Sequence, residues 1–531
     1  MFACPRSTHG ELPLPLDDPL ENQSKNQPDS DRNALLLAID QGTSSSRAVV
    51  FDTAGGLRGQ GQVDFASSFP ADGWVEQDPE VLWETTVRSV KEALQNASVS
   101  ASDIRGLGIT NQRETTLLWE RDTGKCLYPA IVWQDGRTIE QCTQLREQGH
   151  TELIRATTGL VVDPYFSATK LTWLLDNVAN ARDRAERGEL CFGTVDSFLL
   201  YRLTGGKVHL TDATNASRTQ LYDLKEGSWS EAMLKLHNIP SELLPEVRDC
   251  VSDFGATDAS LFGAAIPIFG VAGDQQAALI GQNCLLDGMT KSTYGTGCFL
   301  ITNTGETLRE SASQLLGTVA YRLDGKTTFA LEGSIFVAGV AIKWLRDQLG
   351  LINDANDTQT CAEATEGDTK GVYVVPAFTG LGAPHWRPEA RGLISGLTLD
   401  SNREQVVTAT LASVAYQTQA LAQALGRDGC AVSELRIDGG MVGNSWLCQF
   451  LADIVGVNVD RPKVIETTAL GAAMLAGVGA GVFNSLTEAG VRCVHSEQRF
   501  TPLMETQKRA DLLMGWNDAV ARVLEPGSLA V

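Results

Sequence analysis

The sequence predicts an α/β protein of two large domains, and three observations carry that prediction. The chain has 531 residues, several times the roughly 100–200 of a single domain. Short apolar runs ending in polar turns alternate with segments of helical period, the pattern of sheets flanked by helices. Two turns rich in hydroxyls and glycine stand about half a chain apart, which suggests a distant internal duplication.

Taken in order, the first 33 residues hold five prolines and many polar residues. They lack the apolar segment of a signal peptide, and Asp17, Asp18 and Asp29 argue against a transit peptide. Residues 1–33 therefore read as a disordered extension. Leu35 to Asp40 is an apolar run typical of a buried strand; Gln-Gly-Thr-Ser-Ser-Ser then turns the chain, and Ala48 to Asp52 returns as the second arm of a hairpin. Trp83–Leu94 has helical period. Ile104–Thr110 reads as a strand ending at Asn111-Gln-Arg-Glu114, and the apolar run from Ile266 to Ala272 ends at Gly273-Asp274-Gln275. The second hairpin spans Lys291–Thr302, and its Thr296 lies 253 residues beyond Thr43. This places a boundary near Gly281–Gly288, with an N-terminal domain over 34–284 and a C-terminal domain over 285–531. Beyond it come a strand at Val372–Pro376, a helix at Gln405–Leu425, and a strand at Leu435–Asp438 leading through Gly439-Gly440 into a helix at Asn444–Val455. The small-residue-rich stretch Ala469–Phe483 is shorter than the ~20 residues of a membrane span and reads as a buried helix.

Composition narrows the function. Hydrophobic residues make up 43% of the chain, enough for a sizeable core, and the net charge of −22 repels phosphate backbones and anionic lipid. Nucleic-acid and membrane-surface roles are disfavoured. The 11 cysteines and six histidines are scattered without a zinc spacing, which reads as reduced thiols in a cytoplasmic enzyme.

The chemistry gathers at the turns. A phosphate chain needs several donors and close backbone approach, which small hydroxylated turns provide. Thr43, Ser44, Ser45 and Arg47 on the first turn fit, as do Gly295, Thr296 and Gly297 on the second. No Walker-type motif and no dinucleotide fingerprint occurs. Asp40, at a strand end, is suited to orienting Mg²⁺ through water. Asp274, at the mouth of a buried strand, is suited to accept a proton from an attacking hydroxyl. Arg113 and Glu114 together can grip a polyol, or form a plain salt bridge.

Asp40-Gln-Gly-Thr-Ser-Ser-Ser-Arg47, Thr110-Asn-Gln-Arg-Glu-Thr-Thr116, Asp163-Pro-Tyr-Phe-Ser-Ala-Thr-Lys170, Gly273-Asp-Gln-Gln-Ala-Ala-Leu279, Thr293-Tyr-Gly-Thr-Gly-Cys-Phe299 and Asp438-Gly-Gly440 follow one another in this order. In these segments the chain resembles the FGGY carbohydrate kinases of the actin-like ATPase superfamily, over about residues 34 to 525. The resemblance implies two actin-like (ribonuclease H-like) domains with an interdomain active-site cleft. The second and third segments resemble family members that phosphorylate glycerol more than those that act on xylulose or gluconate. The implied reaction is ATP-dependent phosphorylation of glycerol to sn-glycerol 3-phosphate in glycerol catabolism.

Carried over by position, the resemblance implies that Arg113, Glu114, Tyr165, Asp274 and Gln275 hold the glycerol hydroxyls, with Trp133 and Phe299 over its carbon face. Asp274 would be the base. Thr43, Ser44, Ser45, Arg47, Thr296, Gly339, Lys343, Gly440 and Asn444 would surround ATP, and Asp40 (through water) and Asp274 would serve Mg²⁺. A homodimer or homotetramer is implied by the same resemblance. The chain departs from the family at Lys343, where relatives usually have Gln, at Ala412, which replaces an acidic residue, and at Asp135, where Cys or Asn is common. The basic, glycine-rich loop that binds fructose 1,6-bisphosphate in bacterial members is replaced by Ser260-Leu-Phe-Gly-Ala-Ala-Ile266, which has no Arg or Lys. Two rival readings are a kinase of another polyol or ketose and a non-catalytic nucleotide switch.

Overall fold

A computed structural model describes residues 34–387 and 389–524; the extension expected at 1–33 lies outside the described residues. The apolar run after Ala34 forms β1 (Leu35–Gln41), the middle strand of a five-stranded sheet. β1 pairs antiparallel with β2 (Ser45–Asp52), which pairs antiparallel with β3 (Leu57–Asp64). On its other side β1 runs parallel to β4 (Ile104–Asn111), and β4 runs parallel to β5 (Ile268–Gly273). Helix α1 (Pro79–Ala97) starts at Asp78, whose carboxylate caps the Glu80 N–H, and places Leu82, Val90 and Ala93 in a core with Leu37, Ile39 and Val50. β5 leads directly into α2 (Asp274–Gly281).

The second sheet contains β6 (Thr290–Tyr294), β7 (Cys298–Asn303), β8 (Leu316–Leu323), β9 (Lys326–Ile335), β10 (Glu434–Asp438), β11 (Asn458–Pro462) and β12 (Ser496–Phe500). Its order is β8-β9-β7-β6-β10-β11-β12. The inner strands β9-β7-β6-β10-β11 repeat the order and the strand senses of β3-β2-β1-β4-β5. In both sheets the hydroxyl-rich turn joins the middle strand to its antiparallel neighbour. The likeness of the two turns is therefore a likeness of topology.

Helices α3 (Gly339–Asp347), α4 (Arg403–Arg427) and α5 (Ser445–Val455) contribute to the second core. The next helix, α6 (Thr467–Gly479), packs on the first sheet instead, with Ala469, Ala472, Met474 and Leu475 against Leu36, Ala38, Val49 and Phe51. A Cβ at Gly108 would lie 2.0 Å from the Ala472 carbonyl oxygen, and one at Gly471 1.9 Å from that of Ala277. Small residues here are the condition for backbone-to-backbone contact. Among the described residues no helix is long and apolar enough to cross a membrane, and the ten described cysteines are free.

Candidate active site

Pairing at the first turn continues one step beyond the expected strand end: Gln41 faces Ser46 in β2 and Asn111 in β4. The turn thus narrows to Gly42–Ser44, and Ser45 and Arg47 become strand residues. A buried amide cluster supports it. Gln112 Nε2 donates to Gln77 Oε1 at 2.9 Å and to the Gly42 carbonyl at 3.2 Å, while Gln77 Nε2 donates to the Thr43 carbonyl at 2.8 Å. The Trp133 indole donates to Thr43 Oγ1 at 2.9 Å. Asp40 stands opposite Arg47 on the ladder. Burial pushes the Asp40 carboxyl up to about 6, the Arg47 charge opposing this and the Asp274 charge adding to it. Arg47 itself pairs with Glu466, just before α6, and donates to Gln62.

Beside this turn lies a buried array of charges. The Arg113 guanidinium bridges the two halves: Nη1 and Nη2 donate to Glu332 on β9 at 2.5 and 3.0 Å, and Nε pairs with Asp274 Oδ1 at 3.0 Å. Arg218 donates to Glu114 at 2.7 Å and to Glu332 at 3.2 Å. Glu114 is buried at a φ of 60°, a left-handed position that the Ser167 hydroxyl supports by donating to its carbonyl at 2.9 Å. Burial would raise Glu332, but Arg113 and Arg218 hold it down to about 2. Asp274, the first residue of α2, keeps 31% of its side chain exposed. It is the open corner of an otherwise sealed cluster.

Aromatic rings flank that corner. Trp133 meets Tyr165 and Phe299 edge-on at 5.6 and 6.2 Å, so the two halves supply rings to one wall. Burial raises the Tyr165 phenol well above its ordinary value and keeps it a neutral donor. The turn presenting Tyr165 is tied by Lys170, whose ammonium donates to the carbonyls of Pro164, Tyr165 and Phe166. Burial lowers Lys170 to about 8.

The opposite wall is made of backbone. In the turn Gly295–Gly297, the Gly295 N–H donates to the Gly297 carbonyl at 2.9 Å; the Gly339 N–H, at the start of α3, donates to the Gly295 carbonyl at 3.0 Å. A Cβ at Gly339 would lie 2.5 Å from that oxygen, and one at Gly439 (φ +92°) 2.5 Å from the Tyr294 carbonyl oxygen. Thr296 and Gly440 are exposed on this surface. A helix N-terminus framed by such turns favours anions. Lys343, exposed on α3, lines a cavity of about 640 Å³ with Trp344, Phe378 and Arg391.

The sequence-derived set thus falls into two groups. Arg113, Glu114, Trp133, Tyr165, Asp274, Gln275 and Phe299 line one wall with Asp40 and Thr43. Thr296, Gly339, Gly440 and Lys343 belong to the other. Asn444, at the start of α5, has structural bonds as well: its Oδ1 caps the helix through the Leu447 N–H at 3.0 Å, and its Nδ2 donates to Thr358 at 3.1 Å. The departures find local reasons. Asp135 holds Arg137 at 2.8 Å over the Trp74 ring, and Ala412 is buried in the second core, where a carboxylate would need a partner. Sequence reading missed Glu332, Arg218 and Lys291. A signal existed: Glu332 interrupts the apolar run Phe329-Ala-Leu-Glu-Gly-Ser-Ile335, and a charge inside a buried strand demands an opposite charge.

Two sheets of one topology, bridged by the Arg113–Glu332 pair beside the hydroxyl-rich turns, define an actin-like, ribonuclease H-like architecture with a charged cluster on one wall. The N-terminal domain of the FGGY family of carbohydrate kinases matches residues 35–281, and the C-terminal domain of that family matches 290–480. The chain belongs to this family. It is 57% identical to a glycerol kinase of Alcanivorax borkumensis over 493 residues, covering 92% of this chain and 98% of the relative. It is 56% identical to glycerol kinase 1 of Pseudomonas aeruginosa over 488 residues, with 92% and 98% covered. A crystal structure of Plasmodium falciparum glycerol kinase with ADP superposes with a TM-score of 0.85 at 36% identity, covering 92% and 98% of the two chains. A xylulose kinase from Lactobacillus acidophilus shares the fold at 20% identity and a TM-score of 0.84.

Proposed function

We propose that the protein is an ATP:glycerol 3-phosphotransferase, forming sn-glycerol 3-phosphate and ADP. The observation that carries this reading is the fixed array Glu332–Arg113–Asp274 beside Arg218–Glu114, in a chain more than half identical to glycerol kinases over nearly its whole length. A small polyol has no charge to be caught by, so its hydroxyls need donors and acceptors already held in place. In this reading Arg113, Glu114, Tyr165 and Gln275 supply them, and Trp133 and Phe299 cover the carbon face. Asp274 accepts the proton of the attacking hydroxyl as its oxygen bonds to the γ-phosphorus and the bond to the β-phosphate oxygen breaks.

Thr43, Ser44, Ser45 and Arg47 from the first turn and strand face ATP together with Thr296, Gly339, Lys343, Gly440 and Asn444 of the other wall. Asp40, through water, and Asp274 fit Mg²⁺: the two carboxylates are close enough that the charge of Asp274 helps raise Asp40. With ATP bound, Mg²⁺ would supply charge neutralisation of the phosphates. The domains are assigned as 34–284 for acceptor and phosphate and 285–531 for nucleotide, and the assembly as a homodimer or homotetramer. An ADP-release assay across glycerol, dihydroxyacetone, erythritol and xylulose tests the reading. Glycerol is expected to give the highest kcat/KM. A higher value for a larger polyol or ketose would reassign the substrate, and ADP release indifferent to any alcohol would favour a nucleotide switch.

A further inference from the structure

Lys291 is fully buried on β6, beside the second turn but on the acceptor side of it. Its ammonium donates to Gln275 Oε1 at 2.5 Å and to Thr293 Oγ1 at 2.9 Å. Burial lowers its pKa, the carboxylates of Asp438, Asp274 and Glu332 oppose that fall, and the Arg113 charge adds to it. A buried ammonium is an expensive way to make one hydrogen bond to a glutamine. What it supplies is polarity of one kind.

The two ends of a glutamine amide have nearly the same size, so sterics alone do not choose between them. An ammonium has donors and no acceptor, and it tolerates only Oε1. We propose that Lys291 is a positioning residue that locks the Gln275 amide with Nε2 turned to the cleft, as an obligate donor beside the Asp274 carboxylate. Among the described residues no protein acceptor engages that Nε2. Gln275 follows Asp274 directly at the start of α2, so an obligate acceptor and an obligate donor stand side by side. The pair matches a hydroxyl that gives its proton to Asp274 and accepts one N–H from Gln275. One lone pair of its oxygen is then left for the phosphorus.

This inference rests on the reading of Asp274 and Gln275 as acceptor-site residues, and the test separates the two. Steady-state kinetics with varied glycerol and varied ATP are measured for Lys291→Met, Gln275→Ala, the double variant and Gln275→Glu. Lys291→Met is expected to raise KM for glycerol roughly 3- to 30-fold, the range of one lost oriented hydrogen bond, and to leave KM for ATP within twofold. In the double variant, loss of Lys291 should add nothing to the effect of Gln275→Ala. Gln275→Glu keeps the Lys291 contact and the fold but presents an acceptor to the hydroxyl, and should raise glycerol KM as much as Gln275→Ala. An unchanged KM in Gln275→Ala would overturn the acceptor-site reading itself. With that effect present, a silent or fully additive Lys291→Met, or a Gln275→Glu that binds glycerol normally, would overturn the role of Lys291. If Lys291→Met does not fold, Gln275→Glu alone decides.

Discussion

The wall around Arg113 and the wall around Gly339 are built by opposite means. The first is a lattice of buried charges, Glu332, Arg113, Arg218 and Glu114, with the partly exposed Asp274 at its corner. The second is glycine packed closely on neighbouring backbone, Gly339 on Gly295 and Gly439 on Tyr294, at the start of a helix. The difference follows from what each is proposed to hold. A neutral polyol is recognised only by groups that cannot turn away. A phosphate chain carries its own field and needs small, closely approaching dipoles.

The charged wall breaks most sharply at its open corner. Asp274→Asn keeps the shape but not the proton acceptor, and turnover should fall roughly 10²–10⁴-fold. Glycerol affinity by calorimetry should fall far less; near-normal turnover would remove Asp274 from the role of base. Next comes the centre of the lattice. Glu332→Gln leaves Arg113 and Arg218 short of one buried counter-charge, a loss of about 3–5 kcal/mol for a broken buried pair, read by chemical denaturation. With its folded pKa near 2 against an ordinary 4.5, Glu332 contributes stability that is present above pH 4.5 and lost as pH falls toward 2. The variant should therefore show a weaker acid dependence, and equal stability at neutral pH would refute the lattice.

The backbone wall should fail differently. Gly339→Ala drives a Cβ to 2.5 Å from the Gly295 oxygen, a strain of about 1–3 kcal/mol. KM for ATP should rise with KM for glycerol steady; a matched rise in both would mean that the walls are not separable. Asp40, between them, sharpens the contrast. Its raised pKa gives stability that is complete below pH 3.8 and lost as pH rises through about 6. Asp40→Asn should thus stabilise the ligand-free protein at pH 7.5 by up to ~3 kcal/mol while lowering activity, as thermal unfolding and assay at one pH can check. The smallest effect is none. Leu261 and Phe262 of the replaced loop pack against the first core, and Arg248, in the cavity near Gly255, is already paired with Glu246. The loop itself has no Arg or Lys, and the cavity adds only Lys207 beside the paired Arg248. These are too few charge-assisted donors for two phosphate groups, so millimolar fructose 1,6-bisphosphate should leave the rate unchanged, and a saturable inhibition curve at constant ionic strength would reveal a basic site elsewhere.

Local chemistry was legible in the chain itself. Apolar runs ending at Asp40, Asn111, Gly273 and Asp438 marked strand ends, and the polar residues there make up the candidate site, because a sheet holds the residues at its strand ends in fixed positions. The two turns likewise announced two like halves. Other features were decided only in three dimensions. The composition of Ala469–Phe483 said that a buried helix lies there, but not that α6 leaves the second half to pack on the first sheet. Arg113 is 219 residues from Glu332, and Arg218 is 104 from Glu114; no spacing rule links such partners. A buried charge states in the sequence that it needs a counter-charge, and only the packing of the two sheets determines which one it meets.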